Sequence, residues 1–399
     1  NEKFFEPIRD VVSMVKLKAS YGLVGNDQIG GDRRFIYNET VIGGGIYYFG
    51  TTPSQYTSVR LGEFPNPNVG WEKAKKLNLG ADLSFFNQLN ISVDYFKENR
   101  EGIFLQRKSI PMYVGLSTKP WVNIGKMRNS GIDASLEYHQ PLGKDLHLTV
   151  RGNFTYARNR IMDQDEPDYA YTYMNRSGQM QWQKFGLVAV GLFQDQEDID
   201  SWTKQSFGEV KPGDIKYLDL NGDGIVDSYD TKPIGYSDIP EIVYGFGFSL
   251  QWKAFDLSAF FQGVAHVNFS TLTDQTQAFV GRNLKESSVF ADLYGNTWTP
   301  ENPGAKYPRM TTGAVDNNNQ LSTFWMADGR YLRLKNLELG YTLPKRIANK
   351  IAMQNLRVYL SGVNLFTFSP FKLWDPDLQT GATNYPNNRI INLGLTIGF

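Results

Sequence analysis

The chain has 399 residues, with 41 Lys or Arg and 41 Asp or Glu, so its formal net charge is zero. This balance provides no overall attraction to nucleic acid or acidic lipid. The absence of cysteine excludes a disulfide framework and a thiolate metal site. Mean hydropathy is −0.40. The longest apolar stretch, residues 185–193, is shorter than the roughly 20 residues that a membrane-spanning helix needs.

The main signal along the chain is an alternation of apolar and polar residues with a period of two, which is typical of two-faced β-strands. Between 242 and 252, for example, Ile242, Phe246 and Trp252 share an apolar face, and Gly245 and Gln251 lie on the other face. In chain order, the pattern predicts strands within 17–23, 77–85, 89–95, 132–138, 146–156, 242–252, 255–261, 337–343 and 391–399. We expect about ten or eleven strands in all.

Short and long connections alternate between these strands. Short ones are predicted near 87–88, 141–145, 254 and 344–354, and long ones near 25–69, 108–120, 164–238, 271–327 and 369–387. Short turns on one side and long loops on the other are the layout of bacterial outer-membrane barrels. The sequence therefore predicts an all-β fold, a transmembrane antiparallel β-barrel with long extracellular loops. A soluble β-sandwich, whose apolar faces pack on each other, is the alternative.

The two ends of the chain carry different signals. The chain starts at Asn1 without a secretory signal, which indicates a processed or partial chain. The last segment alternates up to a terminal aromatic, Phe399, and looks like the recognition signal of outer-membrane proteins. As a closing barrel strand it would leave no exposed edge, whereas an ordinary edge strand of this kind is an aggregation risk.

Several stretches resemble the SusC/RagA-like family of TonB-dependent transporters. The most specific is YLRLKNLELGYTLP at 331–344, followed by LRVYLSGVNLF at 356–366 and by Asp375-Pro-Asp377, where the family commonly has Asp-Pro-Glu. NSGID at 129–133 and GDIKYLDLNGDG at 213–224 are also similar to family segments. The resemblance covers most of the chain from about residue 70 onward.

The resemblance implies that residues 1–399 are the C-terminal portion of one barrel of about 22 strands, with the plug and the N-terminal strands absent. It also implies a location in the bacterial outer membrane and a SusD-like surface lipoprotein as partner. Uptake of oligosaccharides or peptides would be powered through TonB, which would act on the missing N-terminal part. On the residues alone, oligosaccharide is slightly favoured over peptide.

Within the long loop 164–238, residues 219–230 match the spacing of an EF-hand-type calcium loop. Side-chain oxygens fall at the usual ligand positions, Gly224 permits the sharp turn, and the residue after it would offer its backbone carbonyl. We expect a structural Ca²⁺ that braces the loop, the alternative being a metal-free Gly/Asp-rich turn. The predicted ligands are Asp219, Asn221, Asp223, Ile225, Asp227 and Asp230.

Nothing in the sequence indicates an enzyme, because it contains no nucleophile elbow, phosphate-binding glycine loop or zinc-helix motif. Tryptophans in or beside the long loops are candidate substrate contacts, since aromatic faces stack on sugar rings and on peptide side chains. Alternatively, they pack loop against loop or against a partner. These candidates are Trp182, Trp202, Trp298 and Trp325.

Active import by a SusC-like barrel is the function that these features favour. A passive porin and a calcium-braced β-sandwich binding or adhesion module are the alternatives. The stretches at 331–344 and 356–366 favour the importer over the porin, because they resemble the SusC/RagA-like transporters. Dependence on detergent separates both from the sandwich, because a lipid-facing band does not stay soluble without an amphiphile.

Overall fold

The structure, a computed structural model, describes residues 3–29, 33–116, 118–273, 276, 290–351, 353–382 and 384–398. The terminal Phe399 lies outside the described residues. Ten long strands form one sheet, called the wall here, and each strand pairs with its neighbour in chain order. The wall strands are β1 Val12–Asn26, β2 Glu72–Phe85, β3 Leu89–Gln106, β4 Trp121–Pro141, β5 Leu146–Asp163, β6 Ile242–Trp252, β7 Phe255–Ala265, β8 Tyr331–Thr342, β9 Asn355–Phe368 and β10 Ile390–Gly398.

The wall strands are long enough to cross a membrane. They range from the 9 residues of β10 to the 21 residues of β4, and a transmembrane β-strand needs about 9–11 residues. All the pairings between neighbours in the wall are antiparallel. The sheet does not close on itself within the described residues, because β1 and β10 stand at its two ends.

One face of the wall is apolar and uncovered. Leu17 and Leu393 are each 79% exposed, and Phe246 and Leu339 are about half exposed. In a β-sandwich these side chains would pack on a second sheet. The sandwich alternative is therefore wrong, and the exposed apolar face is the one expected to meet lipid.

The connections alternate in length, as the sequence predicts. Within the described residues, the turns after β2, β4 and β6 span two to four residues, and a segment of twelve residues joins β8 to β9. At the opposite end, the segments 27–71, 107–120, 164–241, 266–330 and 369–389 join successive strands. The long connections therefore all lie at one end of the wall, which is the extracellular side in barrels of this layout.

The connections contain short elements of their own. Helices α1 Gln196–Ser201 and α2 Lys345–Ala348 are brief, and none of the helices in the described part of the chain is long and apolar enough to span a membrane. Five two-stranded sheets pair Val41–Phe49 with Ser54–Leu61, Phe185–Gly186 with Lys232–Pro233, Ala189–Leu192 with Ile215–Tyr217, Lys204–Gln205 with Ile225–Val226, and Asn268–Ser270 with Met326–Asp328. Short 3₁₀ helices occupy Lys3–Ile8, Arg33–Phe35, Met112–Val114, Thr172–Met174, Ser228–Asp230, Ala291–Leu293, Thr323–Trp325, Asn349–Ile351 and Pro376–Leu378.

The main buried core lies in the loops rather than in the wall. Side chains of the segments 164–241 and 266–330 form one hydrophobic cluster, which we call the loop core. A wall with one lipid-facing and one polar face has little to bury, whereas loops of this length need their own packing to be ordered. The loop core consists of Leu187, Leu192, Ile215, Tyr217, Val226, Leu293, Trp298, Tyr307 and Trp325.

Candidate functional site

The polar face of the wall carries ion pairs that bridge several strands. The ammonium of Lys18 on β1 lies 2.7 Å from Asp82 on β2 and 3.1 Å from Asp94 on β3. Ser92 donates a hydrogen bond to Asp82 at 2.7 Å. These groups satisfy one another, so the face is hydrophilic but locally close to neutral. This arrangement suits the lining of a water-filled passage.

A second cluster of the same design lies on β7, β8 and β9. The guanidinium of Arg357 binds Asp256, with Nε and Oδ1 3.1 Å apart, and also reaches Glu338. Gly340 stands between the two outer strands, where a Cβ atom would lie 2.4 Å from the guanidinium and 2.5 Å from Asp256. Gly80 on β2 lies between Lys18 and Asp94 in the same way, and a Cβ atom there would meet both side chains. In both clusters, a glycine leaves the space through which a cation crosses one strand to reach an acid on the next.

A buried arginine links the wall to the last long loop. Arg333 on β8 is 2% exposed. Its guanidinium binds Asp375 and lies 3.1 Å from Asp377, both in the segment 369–389. The hydroxyl of Tyr331 donates to Asp377 at 2.7 Å. Residues of two family-like stretches, 331–344 and 375–377, therefore form one contact that fixes a loop at the rim of the wall.

Two irregularities in neighbouring strands, one in β8 and one opposite it in β9, make the contact between Arg333 and the last long loop possible. The pairing of β8 with β7 and β9 shifts near Lys335, and Asn364 on β9 has a φ of 53°. A β-bulge adds one residue and changes which face the following side chains occupy. Arg333 and Glu338 thereby both lie on the polar face although they are an odd number of residues apart. Asparagine tolerates the left-handed conformation better than most residues.

The GDIKY part of the stretch 213–217 builds the loop core. Ile215 and Tyr217 are fully buried. Gly213 has a φ of +88°, and a Cβ atom there would lie 2.4 Å from the ring of Trp298. Burial raises the pKa of the Tyr217 phenol well above its usual range. Its hydroxyl donates to the backbone carbonyl of Asn317 at 2.9 Å, so this tyrosine stays neutral and joins the two loops.

Buried polar side chains complete the join between these loops. Asp214 is fully buried and accepts a hydrogen bond from Asn318 at 2.9 Å. Arg309 pairs with the same carboxylate at 2.8 Å. A buried charge is tolerated when it is paired and hydrogen-bonded in this way. The described residues of the segments 164–241 and 266–330 therefore form one folded unit, which we call the loop unit.

Three of the four candidate tryptophans belong to this packing. Trp298 and Trp325 are 8% and 2% exposed, so neither ring face is available to a substrate. Trp202 donates from Nε1 to the Tyr217 carbonyl at 2.8 Å, and the Lys216 ammonium lies 3.9 Å from its ring centroid. Trp182 is 62% exposed. The placement of the first three fits the alternative in which they pack loop against loop.

The predicted calcium ligands form a loop that is closed by its own hydrogen bonds. Asp219 accepts from the backbone N–H groups of Gly222 and Gly224, and Asp223 accepts from that of Ile225. Asp230 is fully buried. Its carboxylate accepts from the N–H groups of Leu220, Asn221 and Asp227, and Asp227 accepts from that of Tyr229.

The metal-binding role of this loop rests on the spacing of its residues in the sequence. Within the described residues, no group of three or more acidic or histidine side chains is placed to hold a metal ion together. Calcium would need the oxygens of 219–230 to turn toward a common point. Calcium binding here stays a prediction from the spacing, and the hydrogen-bonded turn is what the geometry provides.

The Arg333 contact and the loop unit are not visible in the sequence. The residues of both lie in stretches that the sequence marks as family-like, but their spacing in the chain does not reveal that they meet. Arg333 and Asp377 are 44 residues apart, and Asp214 and Asn318 are 104 residues apart. The sequence marks Arg333 only as one of several polar residues in the stretch 331–342.

Comparison with known proteins agrees with this geometry. The chain matches the family model described as TonB dependent receptor-like, beta-barrel over residues 37–365. It is 29% identical over 420 residues to TonB-dependent receptor P3 of Formosa agariphila, covering 98% of this chain and 40% of that protein. It is 26% identical over 419 residues to TonB-dependent receptor SusC of Bacteroides thetaiotaomicron, covering 100% and 39%. The chain thus spans about 40% of the length of such curated relatives.

Solved structures show the same fold. The RagAB peptide importer in its open-open state superposes with a TM-score of 0.70 at 22% identity, covering 98% of this chain and 40% of that one. The RagAB peptide transporter gives the same TM-score at 23% identity. The predicted barrel fold and the resemblance to SusC/RagA-like proteins are therefore confirmed. Because the family match covers most of the chain, this protein belongs to the TonB dependent receptor-like β-barrel family of the outer membrane.

Proposed function

We propose that this chain forms part of the wall of an active importer that carries nutrient oligomers across the outer membrane. The observation that carries the proposal is the two-faced wall. Its apolar face is exposed, and its polar face is lined by ion pairs such as Lys18 with Asp82 and Asp94. A wall of this kind borders lipid on one side and a hydrated passage on the other.

The proposed energy source is TonB, acting through parts of the whole protein that lie outside this chain. Support comes from the family and from relatives that are named TonB-dependent receptors. The alternative is a passive porin, which needs no energy. Uptake of the nutrient by cells with and without TonB separates the two. We expect uptake to stop without TonB, and continued uptake would favour the porin.

The proposed partner is a SusD-like surface lipoprotein that covers the extracellular side. The loop unit supports this proposal, because a surface with its own buried core stays ordered and offers a fixed shape to a partner. Co-purification from detergent-solubilised outer membranes tests it. Recovery of a SusD-like lipoprotein with the whole receptor is the expected result. A receptor that is repeatedly recovered alone would contradict the partnership.

The proposed substrate is an oligosaccharide, with a peptide as the second candidate. The preference for oligosaccharide rested on loop tryptophans, and only Trp182 remains well exposed among the four. The peptide is favoured by the structural likeness to RagAB, which is named a peptide importer. Calorimetry of the whole receptor with neutral oligosaccharides and with mixed short peptides decides between them. Binding of one class with no heat from the other settles the substrate.

Trp182 provides a variant for the same experiment. If a sugar ring stacks on it, Trp182→Ala is expected to weaken oligosaccharide binding by about 1 kcal/mol, as for other exposed aromatic contacts. Trp182→Phe keeps a ring face and is the matched control. Equal affinities for both variants and the native protein would remove Trp182 from the substrate site and leave the oligosaccharide proposal without a contact residue in the loops.

A further inference from the structure

The short-turn end of the wall carries an uneven charge. The turns after β2, β4, β6 and β8 contain five basic residues and one acidic residue, Asp145. All five basic side chains are exposed. Apart from a contact of 3.9 Å between Lys253 and Asp145, they have no ion-pair partner within the described part of the chain. The five are Lys144, Lys253, Lys345, Arg346 and Lys350.

These residues lie close together although they are far apart in the sequence. The turns that join β4 to β5, β6 to β7 and β8 to β9 follow each other along the same edge of the wall. Strands in a sheet are about 4.8 Å apart, so successive turns are about 10 Å apart. The five cations therefore form one band about 20 Å wide, which we call the basic band.

The apolar face of the wall ends in aromatic rings beside this band. Trp252, Phe255 and Tyr341 are paired neighbours on β6, β7 and β8. Their ring centroids are 6.3 Å and 4.7 Å apart in successive pairs. Trp252 and Phe255 are about half exposed. Aromatic rows of this kind mark the level of the lipid head groups in membrane proteins.

One side chain connects the two features. The Lys253 ammonium lies 5.8 Å from the centroid of the Trp252 ring. Because Trp252 is on the apolar face, Lys253 is on the side of the wall that meets lipid. Ile347, between Arg346 and Lys350 in the next turn, is half exposed and adds an apolar side chain to this end of the wall.

We propose that the basic band binds the head groups of anionic phospholipids in the leaflet at the short-turn side, the periplasmic leaflet of the outer membrane. Basic residues next to a membrane surface attract anionic lipids. Here they stand directly beyond the aromatic row, at the depth where the phosphates lie. The band is continuous with the lipid-facing surface, which favours lipid over a soluble partner. This inference does not depend on the identity of the nutrient.

The test uses the whole receptor in nanodiscs made from an equimolar mixture of phosphatidylglycerol and phosphatidylcholine. After gentle extraction, native mass spectrometry measures the ratio of the two lipids that stay bound. We expect the native receptor to retain mainly phosphatidylglycerol. The triple variant K345Q/R346Q/K350Q is expected to lose this preference by at least about tenfold, since each basic residue at such a surface contributes roughly fivefold.

The matched control is K204Q/K211Q/K232Q, which removes three charges from the long loops at the other end of the wall. This control is expected to keep the preference for phosphatidylglycerol. An unchanged lipid ratio in the short-turn variant would overturn the proposal. So would loss of a co-purifying periplasmic protein with the lipid ratio unchanged, because the band would then serve a protein partner.

A second measurement needs no variant. The phosphatidylglycerol preference of the native receptor is expected to fall as salt rises, because salt screens exposed charges within about 8–10 Å. A preference that is constant over the salt series would overturn the proposal even if the triple variant failed to assemble. Substrate binding in the same preparations reports on the proposed import function separately.

Discussion

Arg333 of β8 forms an ion pair with Asp377 of the 369–389 loop, with Nη1 and Oδ2 3.1 Å apart. The guanidinium is almost completely buried, and its Nε donates to the hydroxyl of Thr367 at 3.0 Å. Asn387 donates to the same carboxylate of Asp377 at 3.1 Å. The planar guanidinium presents a fork of N–H donors, so it can bind two carboxylates and a hydroxyl at the same time. The contact therefore determines where the last long loop lies over the wall.

Replacing Arg333 with lysine is expected to loosen this loop. Lysine keeps the charge but loses the fork. The buried cation and the largely buried Asp375 carboxylate then lose hydrogen bonds, at a cost of about 1–3 kcal/mol. The temperature at which the folded receptor is lost on semi-native gels measures the destabilisation, and trypsin cleavage after Lys372 reports on the loop. The control is Arg330→Lys, in an exposed pair with Asp328 that contributes little. Equal stability of both variants would contradict the proposed anchoring.

Gly340 is expected not to tolerate a methyl group. In Gly340→Ala, the added Cβ meets the Arg357 guanidinium and the Asp256 carboxylate. Forcing these groups apart is expected to cost about 1–3 kcal/mol of folding stability, as in other overpacked sites. Gly22→Ala is the matched control, because Gly22 also lies in a wall strand and has open space at its Cβ position. Thermal midpoints of the two variants are compared, and a midpoint for Gly340→Ala as high as for the control would exclude the steric role.

The two faces of β6 are expected to respond oppositely to an arginine. Phe248→Arg places a charge on the lipid-facing side and is expected to lower stability by roughly 2–4 kcal/mol or to block assembly. Ser249→Arg, one residue along on the polar face, is expected to assemble normally. The yield of folded receptor in outer membranes is the measurement. Comparable yields for both variants would mean that the faces have been assigned incorrectly.

Asp165 is expected to fasten the loop 107–120 in a pH-dependent way. Burial alone would raise the pKa of this carboxyl, but hydrogen bonds from Ser109, Arg107 and Lys108 outweigh it and hold the pKa below its usual value. Because the folded-state pKa is depressed, the stabilisation is present above the ordinary pKa of about 4 and is lost as pH falls through the lower folded value. The loss of stabilisation is measured by hydrogen exchange of the backbone amides of Lys108 and Ser109 across this range of pH.

Asp165→Asn is expected to produce the same loosening at neutral pH. The amide cannot replace a carboxylate that accepts from two backbone N–H groups and two side chains. Trypsin cleavage after Arg107 or Lys108 should therefore be faster than in the native receptor. Asp168→Asn, on the exposed part of the neighbouring loop, is the control. Unchanged cleavage in Asp165→Asn would show that the loop is held by other contacts.

The calcium prediction is tested by removing two of its carboxylates. Asp219→Ala with Asp223→Ala is expected to lower the calcium content of the receptor by one ion per chain, as measured by elemental analysis after dialysis against trace calcium. The control pair is Asp195→Ala with Asp200→Ala, outside the loop 219–230. If the native receptor and both variants contain equal calcium, the hydrogen-bonded turn is the correct interpretation of this segment.

The class of the fold and the position of most strands followed from the sequence. Alternation with a period of two is a local property, so strands such as 242–252 and 255–261 and the short turn between them are visible without tertiary information. The family match confirms the barrel. The shift near Lys335 was not predictable, because a bulge depends on the strands alongside it.

The contacts that organise the loops were decided only by the tertiary structure. Trp298 and Trp325 have the sequence context of exposed loop residues, but the loop unit buries them, because long loops become ordered only when they pack on each other. The partners of Arg333 come from a loop that is distant in the chain. Alternation determines which face of a strand is apolar. Which distant side chains meet depends on strand register and loop packing, and these are properties of the whole folded chain.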